Sequence, residues 1–223
     1  MNRFIYLSYF INEDLPTYGN DEKIKIVKTK SIISGDSSNN SFFSFSGHIG
    51  THIDYPFHFC NDGRKSSDYS AGELIFFKIG FAEIDMTAND NFIIEKQMFQ
   101  NINLSSDIDF LLIKTGYCKF RKDEKYWQFN PGFHPNLAQY FKRKFPSIKA
   151  IGFDSISLSC YQKRELGRLA HKKFLCENDI LIIEDMNLSE ICVKSNIKKL
   201  IAAPLLIENV DGVPVTVIAE IEE

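Results

Sequence analysis

Three of the five histidines in the chain fall within eleven residues, from His48 to His58, in the string HIGTHIDYPFH. Asp54 lies among them, so the segment offers imidazole and carboxylate side chains together. That mixture of ligands suits zinc, manganese or ferrous iron. The segment is therefore the first candidate for a metal site.

The spacing of these side chains is that of an extended chain with a bend. Four residues in the segment disfavour a helix: Gly50, Thr51, Ile53 and Pro56. Every second residue of an extended chain shares a face, and His48, His52, Asp54 and His58 are all even-numbered. His48 would lie about 13 Å from His52 on a straight strand, so we expect a bend, for which Gly50 is best suited. A lone histidine is more often structural, but burying four such groups on one face without partners would cost several kcal/mol.

The same segment resembles the His-x-Gly-Thr-His-x-Asp-x-Pro-x-His signature of the cyclase-like metal hydrolases, to which kynurenine formamidase and isatin hydrolase belong. Every fixed position of that signature is met. Other segments are similar to family blocks in the same order: residues 111–116, residues 152–155, and His171 followed by residues 182–188. The resemblance extends over most of the chain.

The resemblance implies five metal ligands for one or two divalent ions, zinc or manganese: His48, His52, Asp54, His171 and Glu184. It also implies that His58 transfers a proton, a role that suits an imidazole near pH 7. The implied reaction is hydrolysis of an amide bond in a small molecule, which is an N-formyl amide, a lactam or a cyclic imide. Metal-activated water would attack the carbonyl. The implied fold is the swivelling β/β/α fold, and the implied assembly is a homo-oligomer, a dimer or a tetramer.

The elements that must position these residues are mostly strands. Strand patterns cover residues 4–10, 23–28, 42–45, 74–84, 109–115, 150–153 and 180–183, and two more strands are predicted within residues 200–221 around Asp211-Gly212. Helical spacing covers residues 135–145 and 165–175. Glu184 follows an apolar strand, where a carboxylate should be exposed or ligated. We predict one strand-rich α/β domain over residues 1–223.

Composition narrows the partners and the compartment. A formal net charge of -3 argues against nucleic-acid binding. The N-terminal apolar patch is short and interrupted by charges, and no run is long enough for a membrane span, so neither a signal peptide nor a membrane anchor is expected. The five cysteines are spread widely without a Cys-x-x-Cys pair, which suggests reduced thiols in the cytoplasm. His134 precedes Pro135 at a predicted helix start and is expected to be structural.

Two other functions remain open at this point. His52, Asp54 and His171 also match the two-histidine, one-carboxylate site of non-haem iron oxygenases, although this leaves Glu184 and two histidines without roles. A metal-binding or small-molecule-binding module without turnover is the other alternative. Oxygen consumption would identify the first, and metal analysis followed by assays on formamides, lactams and imides would identify the second.

Overall fold

The computed structural model describes residues 2–21, 23–88 and 93–222. The strands are β1 (Asn2–Tyr6), β2 (Lys25–Lys30), β3 (Asn40–Ser44), β4 (His52–Asp54), β5 (Ile75–Phe76), β6 (Ile79–Glu83), β7 (Ile93–Ile94), β8 (Phe110–Lys114), β9 (Gly132–Phe133), β10 (Ala150–Phe153), β11 (Leu181–Glu184), β12 (Asn196–Pro204) and β13 (Gly212–Glu222). The α-helices are α1 (Lys125–Gln128), α2 (Asn136–Lys144) and α3 (Arg164–His171), and α3 continues into a π-helical turn, Lys172–Glu177. Short 3-10 helices are Tyr18–Asn20, Ile32–Ser34, Pro56–His58, Ser66–Asp68, Ala71–Leu74, Lys96–Phe99, Tyr117–Phe120 and Tyr161–Lys163.

Nine of the described strands form one sheet, in the order β5-β12-β13-β4-β11-β10-β8-β6, with β1 added on β13. One half of this sheet is parallel, because β6, β8, β10 and β11 run in the same direction. The other half is antiparallel, and β4 joins the halves by pairing antiparallel with both β11 and β13. The predicted strand-rich α/β class is confirmed, and β4 with its two candidate ligands lies at the junction.

Apolar side chains are buried on both faces of this sheet. One cluster, which includes Phe141, Phe153 and Phe174, lies where α2 and α3 pack on the parallel half. A second cluster, which includes Phe110 and Val217, lies on the opposite face. Strands covered on both faces read as continuous apolar runs, and burial of each large side chain is worth about 1.5–3 kcal/mol. This packing fixes the strand ends that carry the candidate site.

The prediction of one strand over residues 74–84 is wrong, because the structure contains two strands there. β5 pairs with β12, whereas β6 pairs with β8 in the other half of the sheet. The break falls at Phe77 and Lys78, whose backbone N–H groups donate to the Asp109 carboxylate at 3.1 and 2.9 Å. Two backbone donors are thus satisfied by a side chain instead of a neighbouring strand.

The prediction that all the cysteines are reduced thiols is wrong for one pair. Cys60 and Cys176 form a disulfide whose Cα atoms lie 6.0 Å apart, across a separation of 116 residues. Cys118, Cys160 and Cys192 are free thiols. The spacing of the cysteines along the sequence does not predict this disulfide, because only the fold brings the two segments together. In the described part of the chain, none of the helices combines the length and the apolar character needed to cross a bilayer.

Candidate metal centre

The first histidine segment bends where the sequence predicted it. Gly50 has φ of +56°, a backbone conformation that glycine adopts without strain. β4 then runs extended, so His52 and Asp54 point to the same side. The predicted alternation does not continue to His58, because residues 56–58 form a 3-10 helix in which the His58 N–H donates to the Tyr55 carbonyl at 2.9 Å. This turn, rather than an extended strand, brings His58 back towards the other histidines.

Strand register places Glu184 beside His52. In the antiparallel pairing of β4 with β11, Glu184 lies opposite His52, and both side chains are buried. The Nδ1 of His52 lies 2.8 Å from the Gly50 carbonyl, so Nδ1 carries the proton and Nε2 is left as a lone-pair donor. Glu184 Oε1 accepts from the Leu158 N–H at 2.6 Å and the Ser157 hydroxyl at 3.3 Å, which fix the carboxylate.

His171 reaches the same place from the end of α3. Its Nδ1 donates to the Gly167 carbonyl at 2.9 Å, so Nε2 is the nitrogen that faces Asp54 and Glu184. Gly167 allows the helix to approach closely, because a Cβ there would overlap Ser159. A carbonyl partner on Nδ1 is typical of histidines that bind metals through Nε2, since it fixes the tautomer and the ring orientation.

The four buried side chains form a compact cluster of ligand atoms. His52 Nε2 lies 3.4 Å from Asp54 Oδ1 and 3.4 Å from Glu184 Oε2. His171 Nε2 lies 3.5 Å from Asp54 Oδ2 and 3.4 Å from Glu184 Oε1. Ligand atoms around a tetrahedral zinc ion with bonds of about 2.0–2.1 Å stand about 3.3 Å apart. His52, Asp54 and Glu184 each place one ligand atom within 4.8 Å of the others, as do His48, Asp54 and His58, and the spacings around His52 have the dimensions of a metal coordination shell.

His48 and His58 lie beside this cluster and share an acidic partner, Asp211. His48 Nδ1 lies 2.9 Å from Asp54 Oδ1, and its Nε2 lies 2.9 Å from Asp211 Oδ2. His58 Nδ1 lies 2.8 Å from the same Asp211 oxygen, and the two imidazole rings stack with centroids 4.1 Å apart. One carboxylate oxygen therefore orients a candidate ligand and the candidate proton-transfer residue together.

Asp211 is held in this position by the backbone next to it. Its carbonyl accepts from the Tyr55 N–H at 2.9 Å, immediately after β4. Gly212 follows, and a Cβ at that position would overlap the ring of His48. The turn Asp211-Gly212 was predicted as a strand connection, and its role at the site was missed. A single Asp-Gly pair gives no signal beyond a turn.

The electrostatics of the centre favour positive charge between its carboxylates. Burial alone would lower the pKa of His48 and of His171, but the neighbouring carboxylates raise each to about 10. Burial alone would raise the pKa of Asp54, but His48 and hydrogen bonds from three histidines hold it well below its usual range. Burial lowers the pKa of His58 and outweighs the nearby carboxylates, so this imidazole is neutral at pH 7.

A cavity of about 350 Å³ opens over the cluster. The metal-centre residues His48, His52, Asp54, His58, His171 and Glu184 form part of its lining. Its other walls include aromatic and cationic side chains: Tyr18, Phe59, Arg164 and Arg168. Among the described residues, no hydrogen-bond partner reaches the buried hydroxyl of Tyr18. The cavity thus joins a polar, ligand-rich base to walls that suit a flat aromatic molecule.

The structure brings all six sequence-predicted site residues into one place, although they come from segments more than a hundred residues apart. The three residues of the oxygenase alternative converge as well. Glu184, however, lies as close to His52 and His171 as Asp54 does, which is not a three-ligand arrangement. His134 lies outside the cavity, and its Nδ1 accepts from the Asn136 N–H at 3.2 Å, as a structural residue would.

The fold and the centre together define an α/β metal-site protein with an aromatic cavity above its ligands. A family model described as putative cyclase matches residues 5–159. The kynurenine formamidase of Bacillus mycoides (strain KBAB4) is 30% identical over 214 residues, which are 96% of this chain and 95% of that protein. The kynurenine formamidase of Bacillus cytotoxicus is 29% identical over 218 residues, 97% of each chain. The chain belongs to the cyclase family.

Solved structures agree with this assignment at the level of the fold. Isatin hydrolase A from Labrenzia aggregata, bound to benzyl benzoate, superposes with a TM-score of 0.82 at 20% identity, covering 100% of this chain and 94% of that one. Isatin hydrolase A from Ralstonia solanacearum gives a TM-score of 0.80 at 18% identity, covering 99% and 92%. The fold expected from the resemblance is confirmed.

Proposed function

We propose that this protein, a metal-dependent amide hydrolase, cleaves the carbon–nitrogen bond of a small aryl formamide with the help of zinc or manganese. The observation that carries the proposal is the buried set of two imidazole nitrogens and two carboxylates, 3.4–3.5 Å apart, at the base of the cavity. The choice of a formamide is supported by the kynurenine formamidases that align with nearly the whole chain. The aromatic walls suit the aryl group.

The residues of the centre fit a divalent cation. The neighbouring carboxylates raise the pKa of His48 and of His171, so positive charge is favoured at these atoms, and a cation held by them would supply it. Asp54 directs Oδ1 towards His48 and His52 and Oδ2 towards His171, so both of its oxygens would be available to a cation held at this centre. His48, His52, Asp54, His171 and Glu184 are the proposed ligands of one or two ions. When bound, such an ion lowers the pKa of a water ligand towards 7 and polarises the amide carbonyl.

His58 is the proposed proton-transfer residue. Its Nδ1–H donates to Asp211, so Nε2 is the atom that accepts a proton from the attacking water and later delivers it to the leaving arylamine nitrogen. The lowered pKa of His58 keeps Nε2 unprotonated at pH 7, as the first of these steps requires. Asp211 holds the imidazole in the productive tautomer throughout.

Substitution Asp211→Asn is expected to lower kcat by about 10–100-fold, the usual effect of removing an outer carboxylate from a metal site. The neutral amide accepts a weaker hydrogen bond from both histidines and no longer stabilises a protonated His58. The measurement is steady-state hydrolysis of formanilide together with the metal content. Asp211→Glu keeps the charge and should recover part of the rate. An Asp211→Asn protein with full metal and an unchanged kcat would contradict this role.

Metal removal tests the proposal as a whole. Dialysis against a chelator is expected to abolish hydrolysis of formanilide, and addition of zinc or manganese should restore it. Because the ion binds the native state, its loss should also lower Tm; a ligand at about 100 times its Kd stabilises by about 2.7 kcal/mol. The parallel control is the same treatment followed by magnesium, which prefers all-oxygen ligands. A stripped protein that retains full activity would refute the metal-dependent reaction.

Assembly, domain organisation and location are further proposals. We infer a homo-oligomer, because the hairpin of β2 and β3 is exposed along its whole length and carries apolar side chains such as Phe42 and Phe43, with exposed fractions of 55% and 58%. Light scattering measures the mass of the assembly.

A single domain is supported by the pairing of β1 with β13, which brings both ends of the described chain into one sheet. We infer a cytoplasmic location from the three free thiols, whereas the Cys60–Cys176 disulfide argues for an oxidising compartment. Thiol trapping of Cys60 and Cys176 in intact cells decides between the two, since reduced thiols support the cytoplasm and an intact disulfide contradicts it.

A further inference from the structure

Two arginines on α3 line the same cavity as the metal centre. Arg164, Arg168 and His171 are separated by four and three residues, so they share one face of the helix, and all three line the cavity. With a helical rise of about 1.5 Å per residue, Arg168 stands about 4.5 Å and Arg164 about 10.5 Å from His171 along the axis. Positive charge therefore follows the cavity wall away from the metal centre.

Arg164 is held by aromatic rings rather than by an acidic partner. Its guanidinium carbon lies 4.1 Å from the centre of the Tyr161 ring and 5.9 Å from that of the Tyr18 ring. Within residues 2–21, 23–88 and 93–222, no ion pair joins Arg164 to an acidic side chain. A guanidinium stacked on a ring keeps the N–H groups at its edge available, and that edge matches a carboxylate in a two-point contact.

Arg168 has a partner that is easily displaced. It pairs with Glu165 at 2.5 Å, but the two side chains are 60% and 86% exposed. Exposed ion pairs of this kind are weak in water, so a carboxylate inside the cavity can compete for Arg168. Both arginines are therefore able to bind a ligand.

The acidic side chains that line the cavity are already paired with histidines. Among the described residues that line it, the acidic ones are Asp54 and Glu184, and both contact histidines of the metal centre. Within the described part of the lining, the cavity thus offers positive charge to a ligand along α3, but no further carboxylate that could receive an ammonium group. An anionic ligand suits these walls better than a neutral or zwitterionic one.

We propose that Arg164 and Arg168 form a subsite for a carboxylate on the substrate, so that the enzyme prefers anionic aryl formamides. This inference rests on the proposed formamide hydrolysis and specifies its substrate class. A carboxylate carried on the aryl ring lies on the far side of that ring from a formamide held over the metal centre, which is the direction in which the arginines extend. The two arginines select the substrate and take no part in the proton transfers.

The test compares matched substrates that differ in charge. The kcat/KM of the metal-loaded enzyme is measured for 3-formamidobenzoate, for neutral formanilide and for zwitterionic formylkynurenine. We expect kcat/KM for 3-formamidobenzoate to exceed kcat/KM for formanilide by about 10-fold or more. Hydrogen bonds to a charged group contribute enough binding free energy for a difference of that size. Arg164→Gln and Arg168→Gln should each reduce this ratio, mainly through KM, and the double variant should remove it. Arg164→Lys keeps the charge without the two-point contact and should fall between.

The control variant is Arg143→Gln, which removes an exposed arginine on α2, outside the cavity, and should leave the ratio unchanged. A wild-type ratio near one, or arginine variants that slow both substrates equally, would overturn the subsite. If the metal-loaded protein hydrolyses none of the three substrates, the proposed reaction fails instead. Calorimetric binding of 3-formamidobenzoate against formanilide then still tests the subsite, and equal affinities would refute it.

Discussion

His58→Ala is expected to lower kcat for aryl formamides by about 10²–10⁴-fold while the protein keeps its metal. The loss follows from the position of the imidazole, which lies beside the ligand cluster, with Nδ1 bound to Asp211 and Nε2 unbonded within the described residues. Without it, the described residues that line the cavity provide no other neutral base, outside the proposed ligands, to accept the proton of the attacking water. Steady-state kinetics and metal analysis on the same preparation make the measurement.

The matched control for His58→Ala is His134→Ala, which removes a histidine outside the cavity. That variant should keep wild-type kcat. A His58→Ala protein with full metal and undiminished turnover would show that another group carries the proton. A protein that loses its metal together with its activity would instead place His58 among the ligands, beside His48 and Asp54, which lie within reach of it.

Asp54→Asn should have the largest effect of any single change, because Asp54 faces three imidazoles at once. Asparagine has nearly the same shape, but it supplies one neutral oxygen in place of two charged ones. Metal content is expected to fall below half of the wild-type value, and activity by about 10³-fold or more, since the carbonyl-polarising ion is lost. Elemental analysis and formanilide hydrolysis measure the two effects.

Asp62→Asn provides the comparison for this change, since Asp62 is an exposed aspartate shortly after the histidine segment. It should retain metal and activity. Circular dichroism establishes whether Asp54→Asn is still folded, which separates loss of the site from loss of the fold. If the folded variant binds a full complement of zinc and remains active, Asp54 is not a ligand.

The local part of the site could be predicted from the sequence because it depends on short-range geometry. The bend at Gly50, the shared face of His52 and Asp54, and the position of Glu184 at the end of an apolar strand all follow from backbone conformation and side-chain alternation. The expectation that alternate side chains share a face fails at His58, because Pro56 begins a turn of 3-10 helix instead of continuing the strand. The alternation rule holds only as far as the chain remains extended.

The long-range part could not be derived from the residues themselves. Asp211 reaches His48 and His58 only because β13 pairs with β4, and a strand order of this kind is not encoded in local patterns. The Cys60–Cys176 link has the same origin, since its halves belong to distant segments. His171 entered the predicted site through family resemblance alone, because on its own it looked like a residue on a helix surface.

The Cys60–Cys176 disulfide affects how the protein binds and exchanges a cation. It fastens the segment just beyond His58 to the helical turn just beyond His171, and the ring of Phe59 already stacks on that of His171 with centroids 4.8 Å apart. In small zinc domains the ion itself organises the polypeptide, and the apo form is unfolded. Here a covalent tie and a large apolar interior hold both walls of the centre in place beforehand. Exchange of one ion for another should therefore proceed on a folded scaffold, with cooperative melting preserved in the apoprotein.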